Sequence, residues 1–354
     1  MREYKLLLSV LSAFLFISLS SYGQIGGNGT YEFLSRTNSA RVAALGGDVL
    51  SIRDNDISIA LTNPSLISPE MNKFLSLDYA GIRTAYNYGD LLYSRTFNKI
   101  GSFTGAFQFI NYGKFTYADE TGATSGDFTA SEYALNVGWG RQLSPNFSIG
   151  ANGKLIYSQL ATYKSFGIAV DVAGTYSTKE DLFSASLIGR NIGLQVVSYT
   201  PGTRDPLPFE LDLASSVKLR HLPLRISFLY DHIEKWDLSY DDPNDASNQK
   251  DPITGEVKKK TDVSKFADNL MRHVVIGGEL TIAKVLSLRL GYNYGRRQEL
   301  MLVDRAGLSG FSAGVGLRVK QFSFSYTHAA YQAGTFNPNY ITVTADLGNL
   351  IRKK

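Results

Sequence analysis

From Lys73 onward the chain alternates apolar and polar residues with a period of two, in runs about ten to thirteen residues long. In Gly101–Asn111, Phe103, Phe107 and Phe109 share one parity, with Ser102, Thr104, Ala106 and Gln108 on the other. In Val285–Tyr294, Leu286, Leu288, Leu290, Tyr292 and Tyr294 alternate with Ser287, Arg289, Gly291 and Asn293. Successive side chains of a strand point to opposite faces, so such runs build strands with one apolar and one polar face. A soluble sandwich alternates as well, but three considerations favour a barrel closed in lipid. The runs exceed the five or six residues usual for soluble strands. The polar parity carries Asp171, Asp212, Arg225, Asp231, Glu279, Arg289 and Arg318, which a lumen accepts and a lipid face does not. A closed barrel also leaves no unpaired strand edge, as the hydrocarbon layer demands. Tyr and Phe, 21 and 20 in number, suit the interfacial belts of such a protein.

The pattern predicts fourteen strands, at about 73–81, 87–97, 101–112, 128–143, 146–160, 165–177, 182–192, 207–219, 223–233, 271–283, 285–296, 308–319, 321–331 and 339–348. Connections after the even strands are short, as at Ser144-Pro145, Arg220–Leu222, Lys284 and Lys320. Those after strands 3, 7, 9 and 11 are long: Gly113–Asp127, Gly193–Pro206, Glu234–Leu270 and Arg297–Gly307. Short periplasmic turns opposite longer external loops are the habit of outer-membrane barrels. The expected fold class is therefore all-β, a 14-stranded antiparallel transmembrane β-barrel with an N-terminal plug.

Residues 1–23 form a secretory signal peptide. Arg2 and Lys5 precede an apolar run from Leu6 to Leu19, and small residues at Ser21 and Gly23 prepare a cut before Gln24. A membrane anchor is the rival, but about 14 apolar residues fall short of the roughly 20 that a spanning helix needs. Zero cysteine excludes disulfides, thiolate metal sites and a lipoprotein anchor, and a net charge of +4 is too small for a nucleic-acid footprint. Residues 24–72 lack clean alternation. Gln24–Thr30 is glycine-rich, SARVAALGG (Ser39–Gly47) could form a short helix stopped by Gly46 and Gly47, and Pro64 holds Asn63 extended. The segment fits a lumen plug, with a loose periplasmic leader as the alternative, and 73–354 would be the barrel.

SARVAALGG, the acidic step Arg53-Asp54-Asn55-Asp56 and ALTNPSL resemble the FadL-like barrels, in particular the PorV/PorQ family of the type IX secretion system. The resemblance continues through NYGDLLYSRTF, FQFINYGKFTYADETG, SEYALNVGWGRQL, WDLSYDDP, FADNLMRHVVIGGE, LRLGYNYGRRQEL and GLSGFSAGVGLRVK, nearly the whole mature chain. It implies a fourteen-stranded barrel with a plugged lumen and a place in the cargo attachment complex. The implied partners are a PorZ-like surface protein, the PorU sortase and the PorV barrel, and the implied role is anchoring without chemistry. Asn63-Pro64 matches the family's NPA-type plug motif, with Ser65 where Ala is usual. The chain ends Arg352-Lys353-Lys354, without the terminal aromatic common on outer-membrane proteins.

His221, His232, His273 and His328 show no metal or triad spacing, and no nucleophile elbow, His-Glu-x-x-His or phosphate loop appears. Neither an enzyme nor a bound cofactor or metal is expected. The loop Glu234–Leu270 carries Asp237, Asp241, Asp242, Asp245 and Asp251, which could ligate calcium, but their spacing is not that of an EF-hand and a solvated mixed-charge loop is preferred. Large external loops are where partners meet a barrel, so Trp236, Tyr240, Asp241 and Asp242 are contact candidates. Arg296 and Arg297 mark a partner site, a lipopolysaccharide contact or a rim ion-pair cluster. Inside, Asp171, Asp212 and Asp231 could pair with Arg190, Arg225, Arg289 and Arg318 to hold a plug, or the charges could line a transport path for hydrophobic small molecules, as in FadL-type carriers.

Overall fold

A computed structural model describes residues 29–81, 86–239, 262–300, 307–330 and 337–351. The expected signal peptide and residues 24–28 lie outside this set. Fourteen strands close on themselves: β1 (Phe74–Gly81), β2 (Asn87–Phe97), β3 (Gly101–Ala118), β4 (Thr124–Ser144), β5 (Phe147–Leu160), β6 (Tyr163–Ser177) and β7 (Phe183–Val197), then β8 (Glu210–Lys218), β9 (Leu224–Tyr230), β10 (Val274–Ile282), β11 (Leu286–Asn293), β12 (Phe311–Val319), β13 (Phe322–Ala329) and β14 (Asn339–Asp346). Each pairs antiparallel with its sequence neighbours, and β1 meets β14 in the seam Phe74↔Asp346 to Gly81↔Asn339. The closed 14-stranded antiparallel barrel read from the alternation is the fold observed.

Several boundaries move, each for a local reason. β3 and β4 extend into the expected loop Gly113–Asp127, because Lys114 pairs with Asp127 at 2.8 Å and Phe115 stacks on Phe128 at 5.2 Å. Cross-strand pairs of this kind sustain a ladder beyond the bilayer. β7 likewise runs on to Val197, through part of the expected loop Gly193–Pro206. β9 stops at Tyr230, so Asp231 sits in a loop and not on a strand. The next residue, His232, has φ 53°, a left-handed backbone that cannot continue a strand. β11 stops at Asn293, whose side chain accepts the N–H of Arg296 at 2.8 Å and starts a helix over Tyr294–Leu300. A second helix, over Asp262–Arg272, delays β10 to Val274.

The two faces of the wall separate cleanly. On β11, Leu288 and Leu290 point outward and are 44% and 69% exposed, while Arg289 between them is buried. Leu77, Leu91, Leu135, Leu155, Leu187 and Leu213 repeat this outward pattern around the ring. A continuous apolar exterior of this extent is unstable in water and stable in hydrocarbon. Among the described residues no helix is long and apolar enough to cross a membrane.

Residues 30–72 pack against the inward faces of the wall. Their only α-helix, α1 (Ala40–Ala44), is capped by Ser39, whose Oγ accepts from the N–H of Val42, and it lies against β11 to β14. Short 3-10 turns follow at Ile57–Leu61, Pro64–Leu66 and Pro69–Met71. Val42, Leu45, Val49, Ile52, Ile59 and Leu66 form an apolar cluster of the segment's own. Each such side chain contributes on the order of 1.5–3 kcal/mol on burial. Leu50 joins Ile188, Ala214, Leu229 and Val275 of the wall.

Candidate functional site

The wall and this inner segment are fastened by charge. Arg41, on α1, gives Nε and Nη2 to the two carboxylate oxygens of Glu279 at 2.9 and 2.7 Å. Its remaining reach goes to Asp54 at 2.7 Å and Asp56 at 3.1 Å. Glu279 also accepts Nε of Arg289, its cross-strand partner, at 2.6 Å. Burial alone would lower the pKa of the Arg41 guanidinium, but Asp54, Glu279 and Asp56 outweigh it and the net direction is up. Forked Arg–carboxylate pairs are among the stronger charge-assisted contacts, and an unpartnered charge at such depth is costly.

A second centre is Arg190 on β7, which meets Glu210 at 2.5 Å, Asp212 at 2.8 Å and Asp48 of the inner segment at 3.1 Å. Beside it β7 bulges: two residues, Arg190 and Asn191, oppose the single Asp171 of β6. Asp171 accepts the otherwise unpaired N–H of Asn191 at 2.8 Å and pairs with Lys154 at 2.9 Å, which seals the bulge. The expected pairing of lumen charges is thus observed for Arg190 with Asp212. Asp171 takes Lys154 instead of an arginine, and Arg289 takes Glu279. Among the described residues Arg225 and Arg318 donate to neutral acceptors, Ser216 Oγ at 3.2 Å and Asn55 Oδ1 at 3.3 Å.

The motif residues Asn63 and Pro64 sit where the segment crosses β4 to β6. Asn63 is fully buried. Its Oδ1 accepts the N–H and hydroxyl of Ser65 at 2.9 and 2.6 Å, and its Nδ2 donates to the carbonyl of Leu50. Pro64 lies so close to β5 that a Cβ on Gly150 would fall 2.2 Å from its carbonyl. Gly46 and Gly47 have φ of 112° and 109° and end α1. Inward glycines on the wall (Gly140, Gly150, Gly277, Gly291) admit the segment's backbone, and sequence reasoning passed over them. Their signal was present, as glycine on the polar parity of a strand marks close backbone approach.

At the long-loop end, Trp236 is half-exposed, packs tilted against Phe266 at 5.2 Å and stacks on buried His273 at 5.8 Å. The helix Asp262–Arg272 turns Val263, Phe266, Leu270 and Met271 to the outside. It is braced by Arg272–Asp268 at 3.0 Å and by the hydroxyl of Tyr294 donating to Asp268 at 2.8 Å. Arg296 points inward and donates to the carbonyl of Gly46 at 3.0 Å, while Arg297 donates to Ser309 O at 3.4 Å. Tyr240, Asp241 and Asp242 lie outside the described residues. Beneath the rim is a cavity of about 480 Å³ bordered by Asp48, Arg190, Glu210, Asp231, His232 and Arg272. Burial pushes the Asp231 carboxyl up to about 8. Burial alone would lower His232, but its contact with Glu234 at 2.9 Å and the neighbouring carboxylates lift it to about 10. The ring nitrogens of His273 rest on the carbonyl oxygens of Asp231 and Trp236, and His328 contacts Asn339. Among the described residues no group of three His, Asp or Glu side chains is placed to hold a metal ion.

An apolar exterior, a polar charged interior and short turns opposite long loops define a barrel of the outer-membrane type. No protein-family model matches the sequence, and no curated protein does. In shape the chain is similar to the toluene transporter TodX of Pseudomonas putida, at 10% identity and TM-score 0.49, with 88% of this chain and 96% of that one covered. It is also similar to a FadL homologue of Pseudomonas aeruginosa (10% identity, TM-score 0.49, 87% and 98% covered). A third similar structure is the CymD monoaromatic hydrocarbon channel (11%, TM-score 0.46, 86% and 95%).

Proposed function

We propose that this chain is an integral outer-membrane barrel, exported by its signal peptide, whose lumen is plugged by residues 24–72 and which anchors a surface partner without performing chemistry. The observation that carries the anchoring is the apolar face formed by Trp236, Val263, Phe266, Leu270 and Met271 at the long-loop end, its helix stiffened by its own Arg272–Asp268 pair and tied through Asp268 to Tyr294, at the start of the helix that follows β11. A clustered, exposed apolar patch on a rigid support is a protein-binding feature. Together with the sequence resemblance, it supports membership of the type IX cargo attachment complex. There the partner would be a PorZ-like surface protein, with the PorU sortase and PorV barrel alongside and lipopolysaccharide around the rim. Deleting the gene should strand cargo in the periplasm, and a pull-down on the barrel should recover the surface partner. Unchanged cargo display would sink this reading.

A second reading is a transporter of hydrophobic small molecules, the activity for which TodX and CymD are named. The observation favouring it is an aromatic group in the outer half of the lumen, where Tyr31, Tyr88, Tyr112, Tyr199 and Tyr340 gather. Uptake of toluene by proteoliposomes would support it. Consistent with it, the β7–β8 ladder ends at Arg190↔Glu210, so Asn191–Val197 of β7 pair with β6 alone, while the β6–β7 bulge is closed by Asp171.

A further inference from the structure

The short-turn mouth of the barrel contains a cavity of about 450 Å³ with a surplus of positive charge. Six cationic side chains border it against three acidic ones, Asp54, Asp56 and Glu279. All three acids are engaged by Arg41, and Glu279 by Arg289 as well. Arg225, Arg318, Lys218 and Lys284 are left without a carboxylate partner among the described residues. The two guanidiniums donate only to Ser216 and Asn55, long and neutral contacts. The hydroxyls of Ser287 and Ser323 also face the cavity.

Lys218, Lys284 and Arg318 are exposed at this mouth and Arg225 lies opposite Glu279, so the six cations outnumber the three carboxylates. A cleft lined by an excess of one charge sign raises the local potential and draws in anions. A guanidinium presents a planar fork suited to phosphate oxygens, ammonium groups add point charge, and hydroxyls complete the donor set. We propose that this chamber binds a small phosphate-class oxyanion, either inorganic phosphate or a phosphomonoester, between Arg225, Arg318, Lys218 and Lys284. Neither surface anchoring nor hydrocarbon transport requires such a site. The volume accommodates a phosphomonoester with a short alcohol, and it sets the ceiling on ligand size.

The test is calorimetric titration of the full-length detergent-solubilised protein with inorganic phosphate and, separately, glycerol phosphate, at low ionic strength. Concentrations run to roughly 10 mM, enough to fill a millimolar site. Saturable binding of either ligand is expected, weakened about tenfold or more in the Arg225→Gln/Arg318→Gln variant, the order set by losing charge-assisted hydrogen bonds. Lys164→Gln, at the opposite end, should leave it unchanged. Tighter binding of glycerol phosphate identifies an esterified ligand, and equal binding identifies the free anion. Should the double variant not fold, Arg318→Gln alone is read, since Arg318 is exposed at the mouth and holds only Asn55. No heat from phosphate, binding equalled by chloride, or undiminished binding in a folded variant overturns the proposal.

Discussion

Replacing Arg41 with Gln tests whether charge locks the inner segment in place. Arg41 is 7% exposed and serves three carboxylates, so its loss would leave up to three negative charges facing one another. Removing one member of a buried ion pair costs about 3–5 kcal/mol. The lower end applies here, because Glu279 keeps Arg289 and the Asp54 side chain is 31% exposed. About 3 kcal/mol shifts an equilibrium between docked and displaced segment on the order of a hundredfold toward displacement. Two assays read it. Urea unfolding in detergent should lose about that stability, and planar-bilayer recordings should show opening events absent from the parent protein. A double-mutant cycle with Glu279→Gln isolates the pair, with a coupling of about 1.5–3 kcal/mol expected for charged hydrogen bonds. Unchanged unfolding and conductance together with a coupling below about 0.5 kcal/mol would refute the reasoning.

Asn63→Ala removes the acceptor for Ser65 and the donor to Leu50 in a fully buried place, and should cost about 1–3 kcal/mol in the same unfolding assay. Asn63→Asp should fare no better, since it sets an oxygen against the Leu50 carbonyl. Leu290→Arg places a charge on the lipid face of β11 and should cost about 2–4 kcal/mol near mid-bilayer, read as loss of folded, heat-modifiable barrel in vesicles; full tolerance would place that face in water. His232 is raised from an ordinary 6.5 to about 10, so its contribution to stability is complete below pH 6.5 and lost as pH climbs toward about 10. With a side chain 38% exposed, its pair with Glu234 is worth at most about 1 kcal/mol. The melting-temperature gap between parent and His232→Gln should therefore be widest in mild acid and close by about pH 10, and a gap that widens with alkali would contradict the assignment.

The strand set was legible because alternation is imposed by two solvents, lipid outside and water or polar groups inside, and each strand reports it locally. Leu288-Arg289-Leu290 carries its own face assignment without reference to any neighbour. The ends of strands were less legible. The extension of β3 and β4 rests on Lys114 meeting Asp127 and Phe115 meeting Phe128, pairs that exist only once the register is set. The short helix after β11 was signalled by Asn293 as a cap, but the alternation of Tyr292 and Tyr294 masked it. Within the candidate site, the sequence shows that Arg41, Asp54 and Glu279 are charged. Their convergence joins residues more than two hundred positions apart, and no local pattern encodes it. Arg296, read as a partner site, a lipopolysaccharide contact or part of a rim ion-pair cluster, turns inward and donates to the carbonyl of Gly46, past the end of α1.

The inner segment begins near the long-loop end, where the N–H of Thr30 donates to the carbonyl of Pro206, and finishes at the short-turn end, where it enters β1. It therefore traverses the barrel from top to bottom before the first strand of the wall starts. In the folded protein the seam between β1 and β14 closes a ring that holds this segment inside it, a clasp fastened over its own strap. An epitope inserted immediately before Gly29 should then be readable from outside an intact cell, although it precedes every strand in the sequence.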